Sequence, residues 1–150
     1  MRLTVYTDYA LRVLMYLAVK EDGLATIDEI ARSYSISRNH LMKVVHQLGV
    51  AGYLETVRGR GGGLRLAKPV EAIGLAEVVR HTEPDMAIAS CFKPVEVPCA
   101  IRQCCVLRRA LEKARDAFMD VLEGYTLSDL VQPRGRLVGM LGISAMEAQR

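Results

Sequence analysis

Tryptophan is absent from this chain and phenylalanine occurs only twice, so aromatic residues make up just 5% of its 150 residues. Any core must therefore be aliphatic, and a hydrophobic content of 51% with 25% charged residues supplies one. That balance excludes a disordered or collagen-like chain. No apolar run approaches the roughly 18 residues that a helical membrane span needs, so no membrane association is expected. The opening Met1-Arg2-Leu3-Thr4-Val5-Tyr6-Thr7-Asp8 lacks the charged-then-apolar order of a signal peptide, and a cytoplasmic protein is expected. Cysteine is missing from the first 90 residues and then occurs four times. A chain of this size buries roughly 70% of its unfolded surface without disulfides. In a reducing compartment those cysteines read as metal ligands or redox thiols. Also missing are an acid–base pair in a recognisable motif, a nucleophile elbow and a phosphate-binding loop. Nothing in the pattern points to an enzyme.

Acidic residues are scarce in one stretch. Between Arg32 and Lys68 lie seven basic residues (Arg32, Arg38, Lys43, Arg58, Arg60, Arg65, Lys68) and a single acid, Glu55. The segment carries +6 in a chain whose net charge is +3, which leaves −3 for the rest. A basic block in an otherwise acidic chain suggests a polyanionic partner, although a solvated basic surface produces the same count.

Apolar spacing predicts a helix over residues 8–20, with Thr7 as its cap and Glu21-Asp22-Gly23 as its end. Thr26-Ile27-Asp28-Glu29 is a capping-box pattern opening a second helix through Tyr34. After the turn Ser35-Ile36-Ser37, a third helix runs to about Ala51, with Ser37 as cap and Leu41, Val44, Val45 and Leu48 on its apolar face. Two β-type runs, Tyr53–Arg58 and Leu64–Ala67, flank Gly59-Arg60-Gly61-Gly62-Gly63 and predict a hairpin with a basic tip. A short helix over Leu75–His81 and a proline-broken loop from Thr82 to Pro98 follow. Leu107–Glu123 is the clearest helix, with a stripe of Leu107, Leu111, Ala114, Phe118, Val121 and Leu122. The boundaries expected are 1–81, 82–106, 107–132 and a loosely ordered, flexible tail over 133–150.

The expected fold class is therefore mostly α with a small β-hairpin wing, a winged helix-turn-helix followed by a long C-terminal helix. Such a helix enters the major groove with its N-terminal side chains against base edges. Here those are Ser37, Arg38, Asn39, His40 and Lys43. Arginine suits guanine, asparagine suits adenine, and serine and lysine suit phosphates. Arg58, Arg60 and Arg65 would serve on the wing, where glycines allow close approach. The glycine run is not a nucleotide loop, because no Gly-Lys-Ser/Thr follows it.

Cys91, Cys99, Cys104 and Cys105 fall within fifteen residues. Zinc knuckles pair cysteines two to four residues apart, and adjacent cysteines cannot form one. Thiolates spread along an irregular loop can instead surround an iron–sulfur cluster. Zinc, a redox switch and simple packing remain open on spacing alone. Adjacent side chains diverge, so Cys104 and Cys105 do not both serve one cluster, which leaves three cysteines and an unassigned fourth ligand.

Three stretches carry a resemblance: Leu3-Thr4-x-x-Thr7-Asp8-Tyr9-Ala10-Leu11-Arg12, Ser37-Arg38-Asn39-His40-Leu41-Met42-Lys43, and Val57 through Leu66. With Glu83-Pro84, the cysteine loop and Tyr125-Thr126-Leu127-x-Asp129-Leu130, they resemble the Rrf2 family of bacterial winged-helix regulators over about residues 1–131. The similarity is strongest to its nitric-oxide-sensing repressors. It implies a homodimer built on the helix over 107–132, operator DNA as partner and nitric oxide as signal. A 4Fe–4S cluster is also implied (2Fe–2S is the smaller alternative), held by Cys91, Cys99 and Cys105 with Asp8 donated by the partner subunit. An Asp in a first helical turn is otherwise a favourable dipole residue. The seven-residue gap between Cys91 and Cys99 also matches the family's iron-responsive branch, which stands as the alternative. A protein that carries a cluster or zinc and binds no DNA is the other.

Overall fold

The computed structural model describes residues 2–20, 23–93 and 98–143. Helix α1 spans Val5–Val19 and begins three residues before the expected start. Thr4 is its cap, accepting from the Thr7 amide at 3.2 Å. Thr7, expected to cap, lies inside the helix and is fully buried. Either threonine offers a capping hydroxyl. The carboxylate of Glu83, 76 residues from Thr7, accepts from both hydroxyls but from the backbone amide of Thr4 alone, which fixes Thr4 as the cap. The expected end at Glu21-Asp22 lies outside the described residues.

Helix α2 (Ile27–Tyr34) opens with the expected capping box: Glu29 N–H donates to Thr26 Oγ1, and the Thr26 amide donates back to Glu29. It ends at Ser35, which adopts a left-handed conformation at φ 53°. Ile36, buried beneath this turn, anchors it. Helix α3 (Arg38–Val50) buries Leu41, Val44, Val45 and Leu48, the face read from spacing. Ser37 stands at its cap position, but only the Ser37 carbonyl serves the helix, accepting from His40 and Leu41. Its hydroxyl makes no capping bond.

Strands β1 (Leu54–Val57) and β2 (Gly63–Leu66) pair antiparallel, with Glu55 opposite Arg65. Ala25 bridges to Leu64 on the other side of β2. This approach requires glycine at 63, where a Cβ would lie 2.8 Å from Leu24 Cβ and 2.9 Å from the Ala25 carbonyl oxygen. Gly62 is tighter still, because a Cβ there would sit 2.3 Å from the Val57 carbonyl oxygen. The glycine run is thus shaped by close backbone approach.

The main core joins α1, α3 and the hairpin, with Val13, Leu14, Leu41, Leu48 and Tyr53 among its buried side chains. Helix α4 (Leu75–Thr82) and the long helix α5 (Val106–Glu123) share a second, smaller cluster of Ala76, Val79 and Met119. The chain then returns to the main core. Leu127, at the start of α6 (Leu127–Leu130), is buried and donates its amide to Ile73 O at 2.8 Å.

Two further expectations need correction. Residues 134–143 are not a loosely ordered tail, since Arg134–Met140 form helix α7. Its Leu137 and Val138 pack on the main core, and Arg134 donates to Val19 O at 2.8 and 3.1 Å. The rest of the expected tail, 144–150, lies outside the described residues. The apolar stripe of α5 also divides. Phe118 and Leu122 pack inward beside Met119, while Leu107 and Val121 are 66% and 63% exposed. No described helix is long and apolar enough to cross a membrane.

Candidate DNA-reading face and sensor loop

Burial of Leu41, Val44, Val45 and Leu48 turns the other face of α3 outward, and Ser37, Arg38, Asn39, His40 and Lys43 are all exposed there. Arg38 Nε is 2.9 Å from Asp28 Oδ1 on α2, and its Nη1 lies 3.5 Å from Met42 Sδ. The His40 ring lies 6.2 Å from that of Tyr9 on α1, tilted by 33°. Arg58, Arg60 and Arg65 are exposed on the hairpin. Arg65 pairs with Glu55 across the strands at 2.5 Å, while Arg58 and Arg60 make no ion pair among the described residues. Behind the hairpin, buried Tyr53 donates its hydroxyl to Glu77 Oε1 at 3.0 Å, fastening β1 to α4. Burial, with that carboxylate beside it, pushes the Tyr53 hydroxyl pKa strongly up, so it stays a neutral donor.

The cysteine loop leaves α4 at Glu83. Cys91 lies on a short 3-10 turn, Ser90–Phe92. Phe92 fastens that turn to α5, with the guanidiniums of Arg108 and Arg115 over its ring at 5.9 and 5.6 Å. Spacing gave no hint of this contact, because its partners lie 16 and 23 residues on. Cys99 and Cys104 are exposed, and Cys104 Sγ points to the Ile101 carbonyl at 3.5 Å. Cys105 caps α5, accepting the Arg108 amide on its sulfur at 3.3 Å. Asp8, in the first turn of α1, is half-exposed and accepts from Arg12 Nε at 3.0 Å on both oxygens. Arg12 in turn lies 5.5 Å from the centre of the Tyr34 ring, at the end of α2.

All four cysteines are free thiols and none belongs to a core cluster, so their sulfurs are uncommitted to disulfides or packing. That donor chemistry fits an iron–sulfur cluster. Among the described residues of this single chain, no three His, Cys, Asp or Glu side chains converge as a metal-holding group.

The model of the Rrf2 family, described as iron-dependent transcriptional regulators, matches residues 3–133. This chain belongs to the Rrf2 family. Among Rrf2 relatives, the HTH-type transcriptional regulator NsrR of Bacillus licheniformis is 49% identical over 142 residues, covering 94% of this chain and 99% of that one. Protein aau3 of Rhizobium meliloti is 47% identical over 143 residues, covering 95% and 93%. Among solved structures, CymR, the global cysteine regulator of B. subtilis, superposes with a TM-score of 0.70 at 28% identity over 87% of this chain and 95% of that one. The structure of T. potens IscR shares the fold, with a TM-score of 0.70 at 22% identity over 88% and 87%. The winged helix-turn-helix expected from sequence is therefore the fold of this Rrf2 chain. With relatives named as transcription regulators, the protein is a transcription regulator and not an enzyme.

Proposed function

We propose that this regulator is a dimeric repressor that binds operator DNA with α3 in the major groove and the hairpin as its wing, and that nitric oxide, acting at an iron–sulfur cluster on the cysteine loop, releases it. The observation that carries the DNA half is the outward face of α3, where Arg38, Asn39, His40 and Lys43 stand exposed beside a wing with two arginines that have no ion-pair partner among the described residues. Six to ten phosphate contacts of this kind would make binding steeply salt-dependent. The sensing half rests on four free cysteines within one loop and on the family resemblance.

Cys91, Cys99 and Cys105 would hold a 4Fe–4S cluster, or the smaller 2Fe–2S, with Asp8 of the partner subunit as fourth donor. When bound, such a cluster supplies iron sites at which nitric oxide binds. A carboxylate would be a weaker partner for such irons than thiolate. Asp8 already has Arg12 as a cationic partner one turn away, and that pair would compete with any role of Asp8 as a donor. Arg12 also contacts Tyr34, just before the turn into α3, so the Asp8–Arg12 pair lies against the DNA-reading unit. Cys104 stays outside the donor set.

Support for the dimer lies on α5. Leu107, Ala110, Ala114, Ala117 and Val121 are exposed and spaced alternately by three and four residues, the pattern of a helix that packs on a second copy of itself.

The test is anaerobic purification, a visible spectrum, and a gel shift on a duplex selected by the protein from a randomised library. A brown protein whose shift is lost on adding nitric oxide supports the proposal. The family description as iron-dependent favours a second reading, with iron as signal. Loss of binding on iron chelation, with indifference to nitric oxide, would select it. A colourless protein indifferent to both overturns the sensing half.

A further inference from the structure

We propose that Asp28 is a specificity-determining residue that holds Arg38 in position for base reading. The inference rests on the proposal above that α3 enters the major groove, and it begins with a carboxylate that faces the first residue of α3. Asp28 lies in the first turn of α2, exposed, with its oxygen 2.9 Å from Arg38 Nε. Both side chains are more than half exposed, at 63% and 57%. Exposed ion pairs of this kind contribute little to folding. A negative charge beside the DNA-facing turn also opposes phosphate binding. Asp28 favours the start of α2 as a first-turn acid, but that role does not call for an arginine of α3 as its partner.

Guanidinium geometry supplies a reason for the pairing. Arginine offers five N–H donors in a rigid planar fork. Asp28 takes Nε, and Nη1 has only a weak sulfur acceptor on Met42 at 3.5 Å. The outer edge, formed by Nη1 and Nη2, has no oxygen or nitrogen partner among the described residues and gives up only that sulfur contact on binding, and it matches O6 and N7 of guanine. Because the carboxylate already orients the fork, less side-chain freedom is lost on binding. The same pair penalises the wrong complex. Turning Arg38 towards a phosphate breaks its bond to Asp28 and leaves that carboxylate unpaired beside the backbone. Asp28 thus favours one base-reading pose and disfavours sequence-independent ones, which is discrimination by repulsion as well as by attraction.

The experiment uses the full-length protein and two probes: the duplex that the wild type selects from a randomised library, and a random-sequence duplex. Asp28→Asn should weaken the selected duplex about threefold to tenfold, part of what one bidentate guanine contact discriminates. It should tighten the random duplex about twofold, because a negative charge is gone. Discrimination should fall at a single guanine–cytosine pair per half-site, the same pair at which Arg38→Ala relaxes preference. In the Arg38→Ala background, Asp28→Asn should change that preference no further. Equal tightening on both probes would mean that Asp28 acts only as a charge, and overturns the proposal. Should Arg38→Ala itself keep the wild-type preference, the major-groove placement of Arg38 fails and the proposal falls with it. Both residues are exposed, so an unchanged thermal melt confirms that the fold is intact in each variant.

Discussion

Removing the Glu83 carboxylate tests how α1 is tied to the entrance of the cysteine loop. Glu83 Oε1 accepts from the Thr4 amide at 2.8 Å, Thr4 Oγ1 at 3.0 Å and Thr7 Oγ1 at 2.5 Å. A hydrogen bond to a charged acceptor contributes about 1.5–3 kcal/mol net. The three share one oxygen and are not additive. Thr4 and Thr7 also face each other at 3.0 Å, so the buried Thr7 hydroxyl keeps one neighbour in Glu83→Ala. A negative charge at the start of a helix contributes a further ~0.3–1 kcal/mol. Water reaches a half-buried site and recovers part of the loss. The expected cost of Glu83→Ala is therefore about 2–4 kcal/mol. Glu83→Gln, which keeps an acceptor oxygen without the charge, should cost about half as much.

Urea unfolding at a single protein concentration reads this out, since the stability of the proposed dimer would depend on concentration. With m of ~2 kcal/mol/M, the middle of the usual range, Glu83→Ala should shift the midpoint by about 1–2 M at unchanged m. Thr7→Val closes a double-mutant cycle, in which a coupling above ~1 kcal/mol is expected for groups in direct contact. A cost below ~0.5 kcal/mol for Glu83→Ala, the range of ordinary surface changes, would refute the reasoning. So would a glutamine variant as damaged as the alanine.

Other expectations concern the cysteines, Asp8, the DNA face and pH. Cys91→Ala, Cys99→Ala and Cys105→Ala should each abolish the visible absorption of anaerobically purified protein while Cys104→Ala keeps it; the reverse outcome for Cys104 and Cys105 shifts the donor set by one residue. Asp8→Ala should keep the absorption but lose the response of DNA affinity to nitric oxide, measured by gel shift; full release by the gas would mean that Asp8 is only a helix-dipole residue. Arg60→Ala should weaken binding to every duplex and flatten its salt slope by about one unit, whereas Asn39→Ala should relax preference at one position by about 1–3 kcal/mol, as competition gel shifts would report. Burial pushes the Glu29 carboxyl up, but the Lys20 ammonium and the Thr26 amide and hydroxyl outweigh it and hold its pKa below the ordinary value of 4.5. The stability this gives is present above pH 4.5 and is lost as pH falls through the lowered folded-state pKa, so Glu29→Gln should flatten the acid limb of a stability profile measured by urea midpoints.

Local signals were legible where a short segment settles its own geometry. The Thr26–Glu29 box, the buried face of α3 and the glycine-tipped hairpin each depend on residues a few positions apart. Distant partners hid the rest. The start of α1 depends on Glu83, and α7 is held by Arg134 on Val19 and by Ser33 on the Leu141 carbonyl, across 115 and 108 residues. Helix α5 reads as one apolar stripe in the sequence, yet it has two apolar faces. Phe118 and Leu122 serve α4, while Leu107 and Val121 face outward, and periodicity alone cannot divide them. In the candidate site, spacing marked the cysteines and basic residues. It could not show that Asp28 holds Arg38, or that Phe92 is flanked by two arginines of α5.

The arrangement around α1 also limits how a signal at its N-terminus can reach DNA. Ala10, Val13 and Leu14 are fully buried, in the core that contains Leu41 and Leu48 of α3. Interiors packed at this density do not slide by fractions of an ångström at low cost. Moving α1 against α3 would open cavities, at a cost of several kcal/mol for each large side chain displaced. The Asp8–Arg12 pair is by contrast an exposed ion pair, worth at most ~1 kcal/mol, and exchanges readily. A partner change at Asp8 therefore leaves the internal geometry of α1 and α3 nearly intact. What can change is the placement of that packed unit as a whole, relative to α5 and to its twin in a dimer. Matched half-sites demand separations near 34–36 Å or a multiple. A rigid-body displacement of two such units removes that match without unfolding either of them. The physical consequence is that released protein should keep its thermal stability and its affinity for a single half-site while losing affinity for the paired site.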